Sequence, residues 1–193
     1  TITNFRKRPE NLKTEATKQK IQETFFSLSQ TMPMKKITVS KLCQACQISR
    51  STFYLHYDNV DDLTDYLEKE LLYRIEKLLK KEQHIPLEEF QNQTFFHLLT
   101  YIDSHLSEFQ FLISKQDSAE FIARLSNIIE NSLTNRLQVL GYHIETYKLA
   151  ISFAASGILN LMISQIKQNL PETKQMICFT YNELIYAIFK TQS

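Results

Sequence analysis

A run of nine residues, Ser49-Arg50-Ser51-Thr52-Phe53-Tyr54-Leu55-His56-Tyr57, brings together hydroxyls, phenols, an imidazole and a single guanidinium. At helical spacing Phe53 and Tyr57 turn inward together, leaving Arg50, Ser51 and Thr52 facing out. A polar outer face of modest size can enter a DNA major groove about 12 Å wide, where an arginine can bond guanine through two hydrogen bonds. Ser49, Tyr54 and His56, with Thr38 upstream, lie where contacts to phosphate would hold register without reading bases. The chemistry on offer is recognition rather than bond-making. The chain has no glycine-rich phosphate loop, HExxH, GxSxG or convincing acid pair, so no enzyme is expected.

Such a face needs a rigid mount, and the flanking pattern supplies one. From Lys13, Ile21, Phe25 and Leu28 recur at three and four residues, which predicts a helix ending at Met32-Pro33. Thr38 is placed as an N-cap for a short helix with Val39, Leu42 and Cys43 inward and Cys46 at its end. Only Gln47 and Ile48 separate it from Ser49, a second N-cap. Two short helices across a tight turn, braced by a longer one, make a helix-turn-helix.

The rest of the chain also reads as helices. Asp61 and Asp62 open a long one with a stripe of Leu63, Leu67, Leu71, Ile75 and Leu78, closed by Lys80-Lys81. Pro86, as a first-turn proline followed by Glu88 and Glu89, starts another carrying Phe90, Phe95, Leu98, Leu99 and Ile102. After a break near residues 104–107 come a short Phe109/Phe111/Leu112 segment and a helix over about 117–140. Gly141 follows as a C′ glycine. Two further helices cover about 144–168 and 171–190. The expected fold class is all-α. A three-helix DNA-binding head occupies residues 1–58 and a ligand-binding and dimerisation body of about six helices occupies 59–193.

Composition points the same way. Two glycines and four prolines leave little room for the turns of a sandwich or barrel. The net charge of +1 conceals a split: residues 1–57 carry ten Lys/Arg against three Glu, a balance of +7, and the remainder balances at −6. A basic head on an acidic body favours an anionic partner at one end. Three cysteines argue against a disulfide framework. Cys43 and Cys46 form a CxxC with no second pair to complete a metal site, and small buried residues are the expectation. No cofactor or metal is expected. The apolar stretch Leu149–Ile166 is interrupted by Ser152, Ser156, Asn160, Ser164 and Gln165 and reads as a buried helix rather than a membrane span. With no basic leader followed by an apolar core, the expected location is cytoplasmic.

The residues from Ile37-Thr38-Val39-Ser40-Lys41-Leu42 through Ile48-Ser49-Arg50-Ser51-Thr52-Phe53-Tyr54-Leu55-His56-Tyr57 to Asp61-Asp62-Leu63 resemble the N-terminal signature of the TetR family, over about residues 17–67. The resemblance implies a two-domain, nine-helix subunit with DNA contacts from Thr38, Ser49, Arg50, Ser51, Thr52, Tyr54 and His56. Two positions depart from the pattern. Gln47 stands where a turn glycine is usual, and Val60 where a phosphate-contacting lysine commonly starts the fourth helix. The Arg6-Lys7-Arg8 tail could compensate by tracking a neighbouring groove. In the body, Tyr101-Ile102-x-x-His105 and Phe109-x-Phe111-Leu112-Ile113 resemble a Firmicutes-type C-terminal subgroup that includes activators of dihydroxyacetone kinase operons.

The resemblance implies a homodimer on a double-stranded DNA operator, most simply as a repressor. Candidate pairing stripes run along the last two helices through Ile151, Ala155, Ile158 and Met162 and through Tyr181, Leu184 and Ile188. Small residues from Ala154 to Gly157 permit close approach. A small-molecule effector would lie in the body, lined by Phe95, Phe96, Leu99, Phe111, Phe121 and Met162, with polar contacts from His97 and Tyr101. The alternative is a body with no small-molecule pocket, controlled by a protein co-regulator.

Overall fold

The computed structural model describes residues 9–81, 87–115, 118–168 and 172–190. Arg6, Lys7, Arg8, Pro86 and Pro171 lie outside the described residues, as do the side chains of Glu88, Glu89 and Phe90. Among the described residues there is no strand, and nine α-helices account for most of the chain. They are α1 (Pro9–Thr31), α2 (Val39–Cys46), α3 (Arg50–Tyr54), α4 (Val60–Lys81), α5 (Leu87–Ser104), α6 (Leu106–Ser114), α7 (Ser118–Val139), α8 (Ile144–Ile166) and α9 (Lys174–Lys190). A 3-10 turn, Met34–Lys36, follows α1. The all-α expectation holds, with a three-helix head and a body of longer helices.

The chain divides inside α4 into two compact units, Thr1–Lys69 and Glu70–Ser193. In the first, α2 packs on α1 and α3 packs on α2. Ile21, Phe25, Leu42, Cys46, Phe53 and Leu63 are fully buried there. Burying one such side chain stabilises by about 1.5–3 kcal/mol, so these six fix how the short helices sit on the long one.

In the second unit α8 packs against α5, α6, α7 and α9, while α5 pairs with α9 and α6 with α7. Leu79, one i+4 step beyond Ile75, rather than Leu78, completes the buried stripe of α4. His105 breaks the line between α5 and α6, as expected near residue 104. α7 ends with Gly141 at φ +84°, its N–H donating to Gln138 O and the next N–H to Leu137 O, the paired reverse bonds of a left-handed C-cap. By length and composition α8 is the one described helix that could cross a membrane. Ile151, Ala154, Ala155, Ile158, Met162 and Ile166 are buried along it.

Candidate nucleic-acid interface and effector cleft

Both short helices of the head start as the sequence predicts. Thr38 Oγ1 accepts from Lys41 N at 3.3 Å, and Ser49 Oγ accepts from Thr52 N at 3.0 Å. Each cap satisfies an amide that the helix start would leave without a partner. Between them Gln47 takes φ 53°, ψ 45°, the left-handed conformation. Gln47 N–H donates to Gln44 O and Ile48 N–H to Cys43 O, closing α2 as a glycine would. The turn is therefore made, but by a residue that carries strain there.

Asn59 and Asp62 open α4 reciprocally. Asn59 Oδ1 accepts from Asp62 N at 2.8 Å, and Asp62 Oδ2 accepts from Asp58 N at 3.0 Å. Val60, the first helical residue, is half-buried and brings no charge to this end.

α3 is held from behind by aromatic packing. Phe53 is fully buried and Tyr57 nearly so, their ring centroids 5.9 Å apart, with Tyr66 5.7 Å from Tyr57. Gln22 Nε2 donates to Tyr57 Oη at 2.9 Å, which satisfies the phenol oxygen against α1. Burial pushes the Tyr57 phenol up to about 12, so it stays protonated.

The opposite face is open. Ser40, Lys41, Gln44, Ser49, Arg50 and Ser51 are exposed, and Thr52 is half-exposed. Tyr54 and Leu55 keep 54% and 82% of their surface in solvent, which is unusual for large side chains beside a core. Arg50 Nη2 donates to Ser40 Oγ, so this guanidinium is tethered across to α2. Ser49 Oγ also bonds Ser51 Oγ at 2.7 Å and Thr52 Oγ1 at 2.8 Å, which makes the start of α3 a connected hydroxyl cluster. His56 is half-buried, and burial together with nearby Lys18 holds its imidazole below the usual range. It is neutral at pH 7.

All seven residues expected at a DNA surface thus lie on or beside α2 and α3, and five of them are exposed. Thr38 and Ser49 spend an oxygen lone pair on capping. Ser40 and Leu55 went unremarked in the sequence. Ser40 lies two residues after the Thr38 cap, on the face of α2 opposite Leu42. Cys43 and Cys46 are both buried and reduced; their thiols donate to Ser49 O and Lys20 O at 3.8 Å. Burial first, and then Cys46 itself, raises the Cys43 thiol. Among the described residues no group of three or more His, Cys, Asp or Glu could hold a metal.

In the second unit a narrow apolar cleft, partly open to solvent, lies among α4, α5, α7, α8 and α9. Leu79, Phe95, Leu98, Leu133, Ile158 and Phe189 supply much of its wall, and Thr94, Arg136 and Tyr181 supply its polar groups. Phe95 and Tyr181 pack with ring centroids 4.5 Å apart. Burial alone pushes the Tyr181 phenol far above its ordinary value.

Of the eight residues expected to line an effector site, Phe95 lies in the wall of this cleft. Leu99, Phe111, Phe121 and Met162 are buried elsewhere in the unit, Phe96 is half-buried and His97 is exposed. Tyr101 stacks on His105 at 4.2 Å, and His105 Nδ1 lies 3.0 Å from Tyr101 O. Arg136, only 1% exposed, was missed. Its signal was its register, three residues beyond Leu133 on the buried stripe of α7.

The residues expected to form pairing stripes lie mostly within the core of the second unit. Ile151, Ala155, Ile158, Met162 and Tyr181 are buried within a single copy, Ile188 is half-buried, and Leu184 is 59% exposed. The apolar residues that α8 and α9 present to solvent are Leu149, Phe153, Met176, Phe179 and Leu184, each more than half exposed. Ser156 and Gly157 share this exposed surface, and a Cβ built on Gly157 meets no atom within 4 Å.

No protein-family model and no curated sequence matches the chain. Among solved structures it is similar to the dihydroxyacetone kinase operon activator DhaS, with a TM-score of 0.64 and 19% identity over 90% of this chain and 96% of that one. It is also similar to the fatty acid degradation regulator FadR from Bacillus halodurans, with a TM-score of 0.65 and 14% identity over 91% and 96%. A chain from Pseudomonas aeruginosa PAO1 described as a transcriptional regulator matches with a TM-score of 0.61 and 18% identity over 94% and 93%. At these identities the likeness is one of fold: this chain has an all-α fold shared with transcription regulators.

Proposed function

We propose that the chain is a TetR-like transcription regulator, a non-enzymatic homodimer that binds double-stranded operator DNA through its head, in the cytoplasm. The observation that carries this reading is the α3 face. A tethered arginine stands among exposed hydroxyls at a capped helix start, in a stretch that holds a charge balance of +7. Arg50, Ser51 and Thr52 would meet the major groove, while Thr38, Ser49, Tyr54 and His56 would face phosphate. Residues 1–58 form the DNA-binding domain in this reading, and 59–193 the effector and dimerisation domain.

One head covers few base pairs, so paired heads on a two-fold symmetric site are needed for specificity. The exposed apolar row on α8 and α9 supports the pairing, because such a patch is costly to leave in water. The apolar cleft of the second unit, with Thr94, Arg136 and Tyr181 as its polar groups, supports control by an effector. The direction of regulation is taken as repression, with the effector releasing the operator.

The test is selection of bound duplexes from a random pool. Enrichment of an inverted repeat with half-sites about one helical turn apart is expected. Recovery of a pool indistinguishable from the input withdraws the proposal.

A further inference from the structure

Tyr54 and Leu55 are adjacent, and among the described residues they are the two large apolar side chains that the first unit leaves mostly in solvent. Tyr54 has a phenol to turn toward water or phosphate. Leu55, 82% exposed, has no polar side-chain atom at all. Its backbone stays helical at φ −72°, ψ −17°, and its N–H donates to Ser51 O at 3.2 Å. Leu55 therefore stands one turn beyond Ser51 on the outward side of α3, while Phe53, two residues back and fully buried, points the opposite way.

A single apolar side chain on a protein surface is ordinary. The setting of this one is not. The face it joins exposes Ser40, Lys41, Gln44, Ser49, Arg50 and Ser51, all polar, within a stretch that carries a charge balance of +7. Basic and hydroxyl groups suit nucleic acid, whereas the core of a protein–protein patch is depleted of charge. The apolar group that a DNA major groove presents is the C5-methyl of thymine.

We infer that Leu55 reads a thymine by packing on its C5-methyl, close to the guanine contacted by Arg50. The two residues are five apart in the chain, about 7.5 Å along a helix, and base pairs stack about 3.4 Å apart, so the thymine is expected about two base pairs from the guanine. Leu55 thus adds an apolar, base-specific contact beside the polar ones of Arg50, Ser51 and Thr52. This deepens the DNA-binding reading above and rests on it.

The experiment uses the duplex recovered by selection from the random pool, remade with uracil in place of each thymine in turn. Uracil keeps the O4 acceptor and the pairing of thymine and lacks only the methyl. Binding of the wild-type chain and of Leu55→Ala is followed by fluorescence anisotropy. For wild type, uracil at one thymine near the Arg50 guanine is expected to weaken binding about fourfold, the share of one buried methyl. Leu55→Ala is expected to keep its helicity by circular dichroism, to bind the thymine duplex severalfold more weakly than wild type, and to bind the thymine and uracil duplexes equally. A wild-type chain indifferent to uracil at every position overturns the inference and leaves DNA binding in place. So does a uracil effect that persists undiminished in Leu55→Ala, or a selected duplex with no thymine near that guanine. If no duplex is enriched, the DNA-binding reading falls and the inference with it.

Discussion

Replacing Gln47 with glycine should stabilise the protein, although it removes a side chain. Gln47 holds φ 53°, and an L-residue in the left-handed region pays roughly 1–2 kcal/mol that glycine does not. Against this, glycine loses more backbone freedom on folding, about 0.5–1 kcal/mol. The Gln47 side chain is exposed, so little packing is lost. The net expectation is a gain of roughly 0.5–1 kcal/mol. Spread over a chain of 193 residues, that is a rise in Tm of about 1–4 °C if the chain unfolds as one unit, and more if the head melts alone. Gln168, at φ 54° after α8, is a built-in comparison that should respond alike to glycine. Gln47→Val, with a β-branched side chain, should lose stability instead. Thermal and urea melts followed by circular dichroism on the three variants decide the matter. A lower Tm for Gln47→Gly, beside a raised one for Gln168→Gly, would refute the reasoning.

Arg50→Ala should weaken operator binding by about 1–3 kcal/mol, roughly 5- to 150-fold, and relax preference at one base pair, as read by fluorescence anisotropy on single-base operator variants. Ser49→Ala removes the cap on Thr52 N and should cost about 1 kcal/mol in a urea melt. His56 has a folded-state pKa below its unfolded value, so the unfolded chain takes up a proton first as pH falls. Its contribution to stability is therefore present above about pH 6.5 and lost below it, and His56→Gln should flatten the acid side of a pH series of melts over that window. Phe153→Glu, on the exposed row of α8, should convert a particle of about twice 22.8 kDa into one near 22.8 kDa by light scattering, with helicity unchanged.

What was legible in the sequence follows the range of the interactions. Thr38 and Ser49 were readable as caps because capping acts over three residues, and Phe53 and Tyr57 were readable as buried because one turn separates them. Gln47 was visible as the turn position, since α2 and α3 leave only two residues between them. The cleft was not visible. Its wall joins Leu79, Thr94, Arg136 and Tyr181 from four helices, and which faces meet across a bundle is a long-range matter that periodicity does not carry. Arg136 shows the difficulty: a charge late in a helix reads first as a favourable partner for the helix C-terminus. The exposed apolar row on α8 and α9 was hidden for another reason. α8 carries apolar residues on both sides, with Ile151 and Ile158 buried and Leu149 and Phe153 exposed beside Ser152, Ser156 and Asn160. Apolar residues on two sides of one helix give no pattern that separates its own core from a partner's surface.

The central claim is that α3 lies in a major groove with Arg50 on a guanine, and methylation protection of the selected duplex tests it most directly. Dimethyl sulfate attacks guanine N7, which faces the major groove and is an acceptor that a bidentate arginine covers. The account predicts protection at one guanine in each half-site with wild-type protein. That protection should be lost with Arg50→Ala at concentrations that still saturate the duplex. Full reactivity of every guanine beneath bound wild-type protein would contradict it.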